Sequence, residues 1–412
     1  MSDTANRTPW AGIVMLGLGI FVMTTMEELP IGVLTLVADD LGTSHGTIGL
    51  GVTIPGILAG IVAIFAPKLV GRTDRRFILA GALAANAISG VLSALSPTAG
   101  FFLASRILVG VALGMFWALL GATVVRVAAE KDAPKALTVA FSGAAAAIVL
   151  GVPLATWLGE RTSWEEAFIV VAGAALLVAL GLILLVPAAT TTTAVSLGDI
   201  AATARLRGVQ FGVAYTLILV TAHFTAYTYA SPLLQDLGGV PVTGISTQLF
   251  VFGIAGLAGN FLAGPMMKRS LDATVVIIPA GVVTALLAFA LFVGSPLSAG
   301  LVMLAWGLFG GAISVVSQAW VLRAAGDNAE AGSGLNSGAF NIGIASGAFI
   351  GGQAGEHPLP LFTGGTSGGS ETILFVAGVG VAAACALAVT GARVTRKRRR
   401  ARVRALSKDR AA

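Results

Sequence analysis

Twelve stretches of this chain stay apolar for long enough to cross the hydrocarbon of a bilayer, which takes about 20 residues of helix. A backbone in hydrocarbon has no water to bond to, so it closes its own hydrogen bonds as a helix or as a closed barrel. Barrel strands are about half as long and alternate in polarity, and these stretches do neither. The expectation is an all-α integral membrane protein. The stretches fall near 11–38, 47–67, 77–95, 101–125, 136–158 and 167–187, then near 209–232, 244–266, 273–293, 299–321, 332–353 and 372–392. The polar link "PAATTTTAVSLGDIAATARLRG" separates the two sets of six. Only 11% of the residues are charged, against about 25% in a soluble protein. The first stretch is long enough to span and lacks a small-residue cleavage site, so it reads as an uncleaved anchor.

Charge orients the spans. With the N-terminus inside, 23 of the 25 Lys and Arg residues fall on the inner side, ten of them in the tail from Arg393 to Arg410. Arg161 alone lies outside, and Arg106 sits within a span. Basic loops stay cytoplasmic, so both termini are expected on the cytoplasmic side of the inner (plasma) membrane. The tail reads as a stop signal that touches anionic lipid headgroups, in preference to a nucleic-acid-binding arm. The lone Cys385 excludes an intrachain disulfide.

The halves echo each other. Small residues recur at every fourth position in span 5 (Gly143, Ala147, Gly151, Ala155, Gly159) and, 200 residues later, in span 11 (Gly343, Gly347, Gly351, Gly355). Pro30 in span 1 and Pro232 in span 7 are 202 apart. Repeats of this kind build transporters from two bundles around a midplane cavity. The expected organisation is a six-helix bundle over 1–187, a cytoplasmic linker over 188–207, a second bundle over 208–392 and a basic tail over 393–412.

Polar residues inside the spans mark candidate sites. Span 1 contains "TTMEELPIGV", with Glu27 and Glu28 adjacent. An ionised carboxylate in a bilayer costs roughly 2.5–3.5 kcal/mol even on lenient scales, which makes function the default reading and structural pairing its competitor. Span 4 contains "RILVGVALGMFW", which puts Arg106, Gly110 and Gly114 on one helix face. Counted along the helices, Glu27 and Arg106 both lie in the outer half of the membrane. Burial favours a neutral acid and a nearby guanidinium favours an ionised one. A site whose surroundings change as bundles rock can thus switch its proton affinity. In span 7, His223 and Tyr227 share a face at i, i+4, with Phe224 and Tyr229 beside them. These four, with Trp117, Trp306, Gln318, Asn336 and Asn341, are candidate cavity walls offering stacking surface and polar handles; interhelical packing is the alternative reading. The loop "GRTDRR" (Gly71, Asp74, Arg75, Arg76) is a tight turn suited to a latch at a helix end.

Together these segments resemble the major facilitator superfamily, in its twelve-span drug:proton antiporter group. "GRTDRR" resembles a shortened loop 2–3 signature, Arg106 to Gly110 the span 4 signature, and "VLGVPLATWLG" with Gly151 and Pro153 the span 5 antiporter motif. "EELPIG", "MFWALL", "HFTAYTYASP" and "FNIGIASGAFIGG" resemble the branch that exports sugars, purine nucleosides and chloramphenicol. The resemblance covers spans 1–11 and implies two pseudo-symmetric six-helix bundles. It implies that Glu27 is the coupling acid, since an aromatic stands in the family where this chain has Glu28. Leu113 replaces a common histidine. Lys268 stands where an aspartate would complete a second latch, so a weak C-terminal latch is expected.

The expected function is proton-coupled efflux of a small organic solute by alternating access, with protons and that solute as partners and a monomer as the working unit. An uptake symporter, or less readily a channel or a non-transporting sensor, is the alternative. No metal-ligand spacing or phosphate-cradling loop is present, and G-x-S-x-G at Gly365, Ser367 and Gly369 lacks a strand–helix context. No enzyme activity and no cofactor are expected. The topology has a direct check: cysteines at Thr98 and Gly365 should react with an impermeant external thiol reagent, and one at Ser196 should not. External labelling at Ser196 would reverse the topology.

Overall fold

The computed structural model describes residues 8–70, 73–129, 132–189, 197–362 and 368–409. Gly71 of the loop motif, Ser196, Gly365 and Ser367 lie outside the described residues. Those described form helices and connections, with no strand among them. Span 1 is Trp10–Gly32 continued by Leu34–Asp40, span 2 His45–Val70, span 3 Arg75–Ala94 and span 4 Ala99–Val127. Span 5 runs through Ala133–Ala146, a π-helical turn Ala147–Gly151, and Val152–Arg161; span 6 is Trp164–Leu185. A short helix Leu197–Ala204 precedes span 7, Arg207–Tyr227 with Ala230–Asp236. Spans 8 and 9 form one run, Ile245–Phe292, bent at Ser270, whose backbone is non-helical. Span 10 is Pro296–Gly310 with Ile313–Ala325, span 11 Ala329–Glu356, and span 12 opens the helix Gly368–Asp409.

Ten stretches meet the length and hydropathy of a membrane span. The stretch 242–292 holds two spans, and glycine-rich span 11 falls short on hydropathy while keeping 28 residues of helix. The count is twelve.

Prolines shape these helices. Spans 1 and 7 both break in their last third, next to Pro30 and Pro232. A proline removes the donor that the carbonyl four residues earlier would have used. In span 9, Pro279 orphans the Val275 carbonyl, and the buried Tyr215 hydroxyl donates to it at 3.0 Å. In span 5, Pro153 directly follows the π-helical turn.

Glycines let the helices touch. Without a hydrophobic force between helices in lipid, close backbone approach is the main source of association. A Cβ at Gly143 would overlap the Gly17 carbonyl, and one at Gly151 the Thr25 hydroxyl, so span 5 lies against span 1. Likewise, a Cβ at Gly343 would meet Val220 and one at Gly351 the Thr225 carbonyl, so span 11 lies against span 7. Each pairing recurs 200 residues on: Thr25 with Gly151, Thr225 with Gly351. The repeat seen in the sequence is therefore a repeat of contacts.

Between the bundles, span 2 meets span 11 and span 5 meets span 8. A Cβ at Gly56 would sit 3.0 Å from the Asn341 carbonyl, and one at Gly253 2.8 Å from that of Ile148. Polar contacts join the C-terminal ends of spans 1 and 7: Gln235 Nε2 donates to Thr35 Oγ1 at 3.0 Å, and Thr35 Oγ1 lies 3.3 Å from Ser231 Oγ. Near the other end of span 2, Phe65 and Leu69 are exposed and line a groove of about 620 Å³ with Ile61 and Val62.

Span 4 packs on span 2 by the same device. A Cβ at Gly110 would come within 2.8 Å of Pro55 and 2.7 Å of Leu58, whereas one at Gly81 would meet nothing. Gly110→Val should therefore destabilise the protein by about 1–3 kcal/mol through overpacking, with Gly81→Ala near neutral. Thermal unfolding in detergent checks the contrast, and equal melting temperatures would remove the packing role of Gly110.

Candidate functional site

Arg106 is fully buried. Its Nη2 donates to the carbonyls of Met26 at 3.0 Å and Glu27 at 2.9 Å, and its Nε to that of Gly51 at 3.0 Å. Pro30 stands four residues after Met26 and Pro55 four after Gly51, so the guanidinium takes two carbonyls that prolines have orphaned. Spans 1, 2 and 4 are stapled together where two of them lack a backbone donor. The Phe168 ring lies 6.0 Å from the guanidinium carbon.

The expected carboxylate partnership takes a different form. Among the described residues no Glu27 carboxylate oxygen lies within 4.0 Å of the arginine nitrogens, although the two side chains act on each other electrostatically. Glu27 Oε1, Glu28 Oε2 and Arg106 Nη1 are buried without a hydrogen-bond partner. The adjacent glutamates face different neighbours. Glu27 is coupled to Arg106 inside its own bundle, and the charge of Glu28 reaches Tyr227 of span 7 in the other. Their roughly 100° separation on a helix accounts for the split.

Opposite Glu28 stands an aromatic cluster. His223 and Tyr227 stack at 5.5 Å with 15° between planes, and Phe252 stacks on Tyr227 at 4.8 Å. Trp306 stands edge-on to all three and donates its indole N–H to His223 Nδ1 at 3.2 Å. That bond makes Nδ1 the acceptor and leaves Nε2 to carry the proton of the neutral ring. Phe224 meets Tyr227 edge-on. His223, Phe224, Tyr227 and Trp306 are thus brought together, and span 8 adds Phe252, which sequence reasoning missed. Phe252 shares a face with Gly256 and Gly259, where an added Cβ would meet span 10.

Other candidates lie apart. The Tyr229 hydroxyl donates to the Ala348 carbonyl at 2.8 Å, with its ring against Gly351 and Gly49, so it fills the seam of spans 2, 7 and 11. Trp117 leans on Phe141 at 5.9 Å. Thr216 donates to Asn336 Oδ1 at 2.7 Å, and Asn336 Nδ2 to Gln318 Oε1 at 2.6 Å, a chain across spans 7, 11 and 10. Asn341 bonds only back to Ser337 of its own helix.

In the loop motif, Asp74 caps span 3 by accepting from the Arg76 N–H at 3.0 Å, pairs with the Arg76 side chain at 3.3 Å and accepts from the Ala189 N–H at 3.0 Å. Asp74 thus ties the start of span 3 to the segment that follows span 6. In the second half Asp272, four residues after Lys268, pairs with Arg323 of span 10 at 2.5 Å.

Asn336→Leu would remove both links of this chain, to Thr216 Oγ1 and to Gln318 Oε1, at about 0.5–1.5 kcal/mol per hydrogen bond. It should lower the melting temperature clearly more than Asn341→Leu. Equal effects would show that the chain does not hold the three spans.

Comparison with known proteins agrees with this architecture. The profile of the Major Facilitator Superfamily matches residues 16–352. A protein of Pseudomonas aeruginosa named transcription regulatory protein OpdE is 32% identical over 85% of this chain and 89% of its own length. The Escherichia coli purine ribonucleoside efflux pump NepI is 27% identical over 89% of this chain and 93% of its own. Among solved structures, a bacterial homologue of the human lysosomal transporter Spinster, inward-facing and occupied, superposes with a TM-score of 0.70 at 16% identity, over 92% of this chain and 96% of that one. The nucleoside transporter NupG does so with 0.71 at 13%, over 91% and 99%. Twelve spans in two pseudo-symmetric bundles, an arginine buried in span 4 and a profile match over most of the length agree: the chain belongs to the Major Facilitator Superfamily.

Proposed function

We propose that the chain exports a small planar organic solute of the nucleoside type in exchange for protons, by alternating access of its two bundles. The observation that carries this reading is a membrane-embedded acid pair on span 1, one of which, Glu28, acts electrostatically on a stacked aromatic cluster of spans 7, 8 and 10. Near-parallel rings offer faces on which a nucleobase can stack, and His223 and Tyr227 supply polar handles that orient it. The efflux pump among the relatives handles purine ribonucleosides by name, which supports both the solute class and the direction.

In this mechanism Glu27 holds the coupling proton. Arg106 is tethered to the carbonyls of span 1, so rocking that shifts span 4 against span 1 changes the distance from guanidinium to carboxyl and with it the proton affinity. Glu28 reads the solute through its proximity to Tyr227. Both termini face the cytoplasm, the basic tail lies on anionic lipid, and one chain forms the working unit.

A second reading is a sensor that binds solute without moving it. The relative named as a transcription regulatory protein favours it. Counterflow in proteoliposomes separates the two: a carrier exchanges labelled purine nucleoside across the membrane, and a sensor binds it without exchange.

Within the carrier reading, Glu27→Gln should abolish proton-driven accumulation and keep part of the exchange down a solute gradient. Glu28→Gln and Tyr227→Ala should instead weaken solute binding several-fold with coupling retained. Solute-induced proton release in detergent decides the assignment. Normal release from Glu27→Gln with none from Glu28→Gln would exchange the roles of the two acids.

A further inference from the structure

Two carboxylates at the outer face hydrogen-bond across to the opposite bundle. Glu160, at the end of span 5, accepts from the Ser246 N–H at 2.7 Å with Oε1 and from the Ser246 hydroxyl at 2.6 Å with Oε2. Ser246 is the second residue of span 8, so its N–H is one of those that a helix start leaves without an internal acceptor. The negative carboxylate also suits the positive end of the helix dipole. An acid of the first bundle thus caps a helix of the second.

The reverse contact exists as well. Glu356, the last residue of span 11, accepts from the Ser44 hydroxyl, and Ser44 in turn caps the start of span 2 by accepting from the Thr47 N–H at 3.1 Å. Gly46 leaves the space that this acid occupies, since a Cβ there would overlap its carboxylate. Glu160 and Glu356 are 196 residues apart and Ser44 and Ser246 are 202 apart, close to the offset of the internal repeat. The two contacts are one contact made twice, once in each direction.

Neither contact joins two elements of the same bundle, so neither bundle needs it to fold. Both lie at the same end of the helices as the contact between Thr35 and Gln235. Arg161, next to Glu160, is turned to the Trp157 ring, 5.9 Å away.

We infer that Glu160 and Glu356 are reciprocal cross-bundle latches that hold the outer mouth shut and so set which side of the membrane the cavity opens to. As gating residues they position the bundles and need not touch the solute. The inference rests on the alternating-access reading above, and its test is independent of transport. Glu160 is half-buried with a buried serine partner, whereas Glu356 and Ser44 are exposed, so Glu160 is the stronger latch.

The test is a pair of spin-label distances in the full chain, in a Cys385→Ala background. Outer labels go at Gly100→Cys and Gly294→Cys, both exposed and free of neighbours at Cβ. Inner labels go at Leu69→Cys, which is exposed, and Gly264→Cys, where a Cβ meets nothing. Glu160→Ala combined with Glu356→Ala should add a longer outer distance and a shorter inner one, with Glu160→Ala alone giving most of the shift. An unchanged outer distance in protein that elutes like the parent overturns the inference. Lengthening at both faces also overturns it, because that reports loss of fold instead of a change of orientation. The distances need no solute and no gradient, so a chain that fails in counterflow still tests the latches, and failed counterflow with working latches strikes only the transport reading.

Discussion

The structure turns on what Arg106 does with its hydrogen bonds. Prolines are tolerated in membrane helices only where something else satisfies the carbonyl that each one orphans. Pro30 and Pro55 create two such carbonyls on neighbouring helices, and one guanidinium from a third helix takes both. Arginine suits the task because its fork of five donors stays charged and planar where a lysine offers a single point of contact. The result fixes the relative position of spans 1, 2 and 4 at the depth of the two glutamates. Tyr215 and Val275 solve the same problem before Pro279 in the second bundle with a neutral hydroxyl. The bundles therefore share a packing rule and differ in charge, and the charged version sits beside the acids.

That difference divides labour between the halves. The first bundle holds both acids and the arginine; the second holds the stacked rings and a neutral polar chain from Thr216 to Gln318. Glu28, one helical step from Glu27, is the acid whose charge acts on Tyr227 of the second bundle. Gly310 keeps the cluster compact from the span 10 side, because a Cβ there would press on His223 at 3.0 Å and Phe252 at 3.4 Å.

The architecture was largely legible in the sequence because bilayer thickness sets helix length. Span 11 was found although its glycines depress its hydropathy, since Gly343, Gly347 and Gly351 repeat at helical spacing and do meet span 7. His223 and Tyr227 were found from their i, i+4 spacing. Tyr229 was grouped with them wrongly in space: the helix ends at Tyr227, and the change of direction sends the next tyrosine into the seam with span 11. Phe252 was one of 20 phenylalanines, and only the three-dimensional register of span 8 on span 10 singles it out. The acceptors of Arg106 were unreadable for a related reason. Each proline announces an orphaned carbonyl, but which side chain reaches it depends on how three helices cross.

The contact between Thr35 and Gln235 has a consequence of its own. The two residues are 200 apart, the offset that relates the halves. In a symmetric dimer of either half, each would face an identical copy of itself, and a self-facing contact must be self-complementary. Each side chain would have to donate and accept at once, whatever the partner needed. Joining the halves in one polypeptide lifts that restriction. A threonine oxygen can serve as acceptor while a glutamine amide serves as donor, so the contact gains a direction that two identical subunits could not give it.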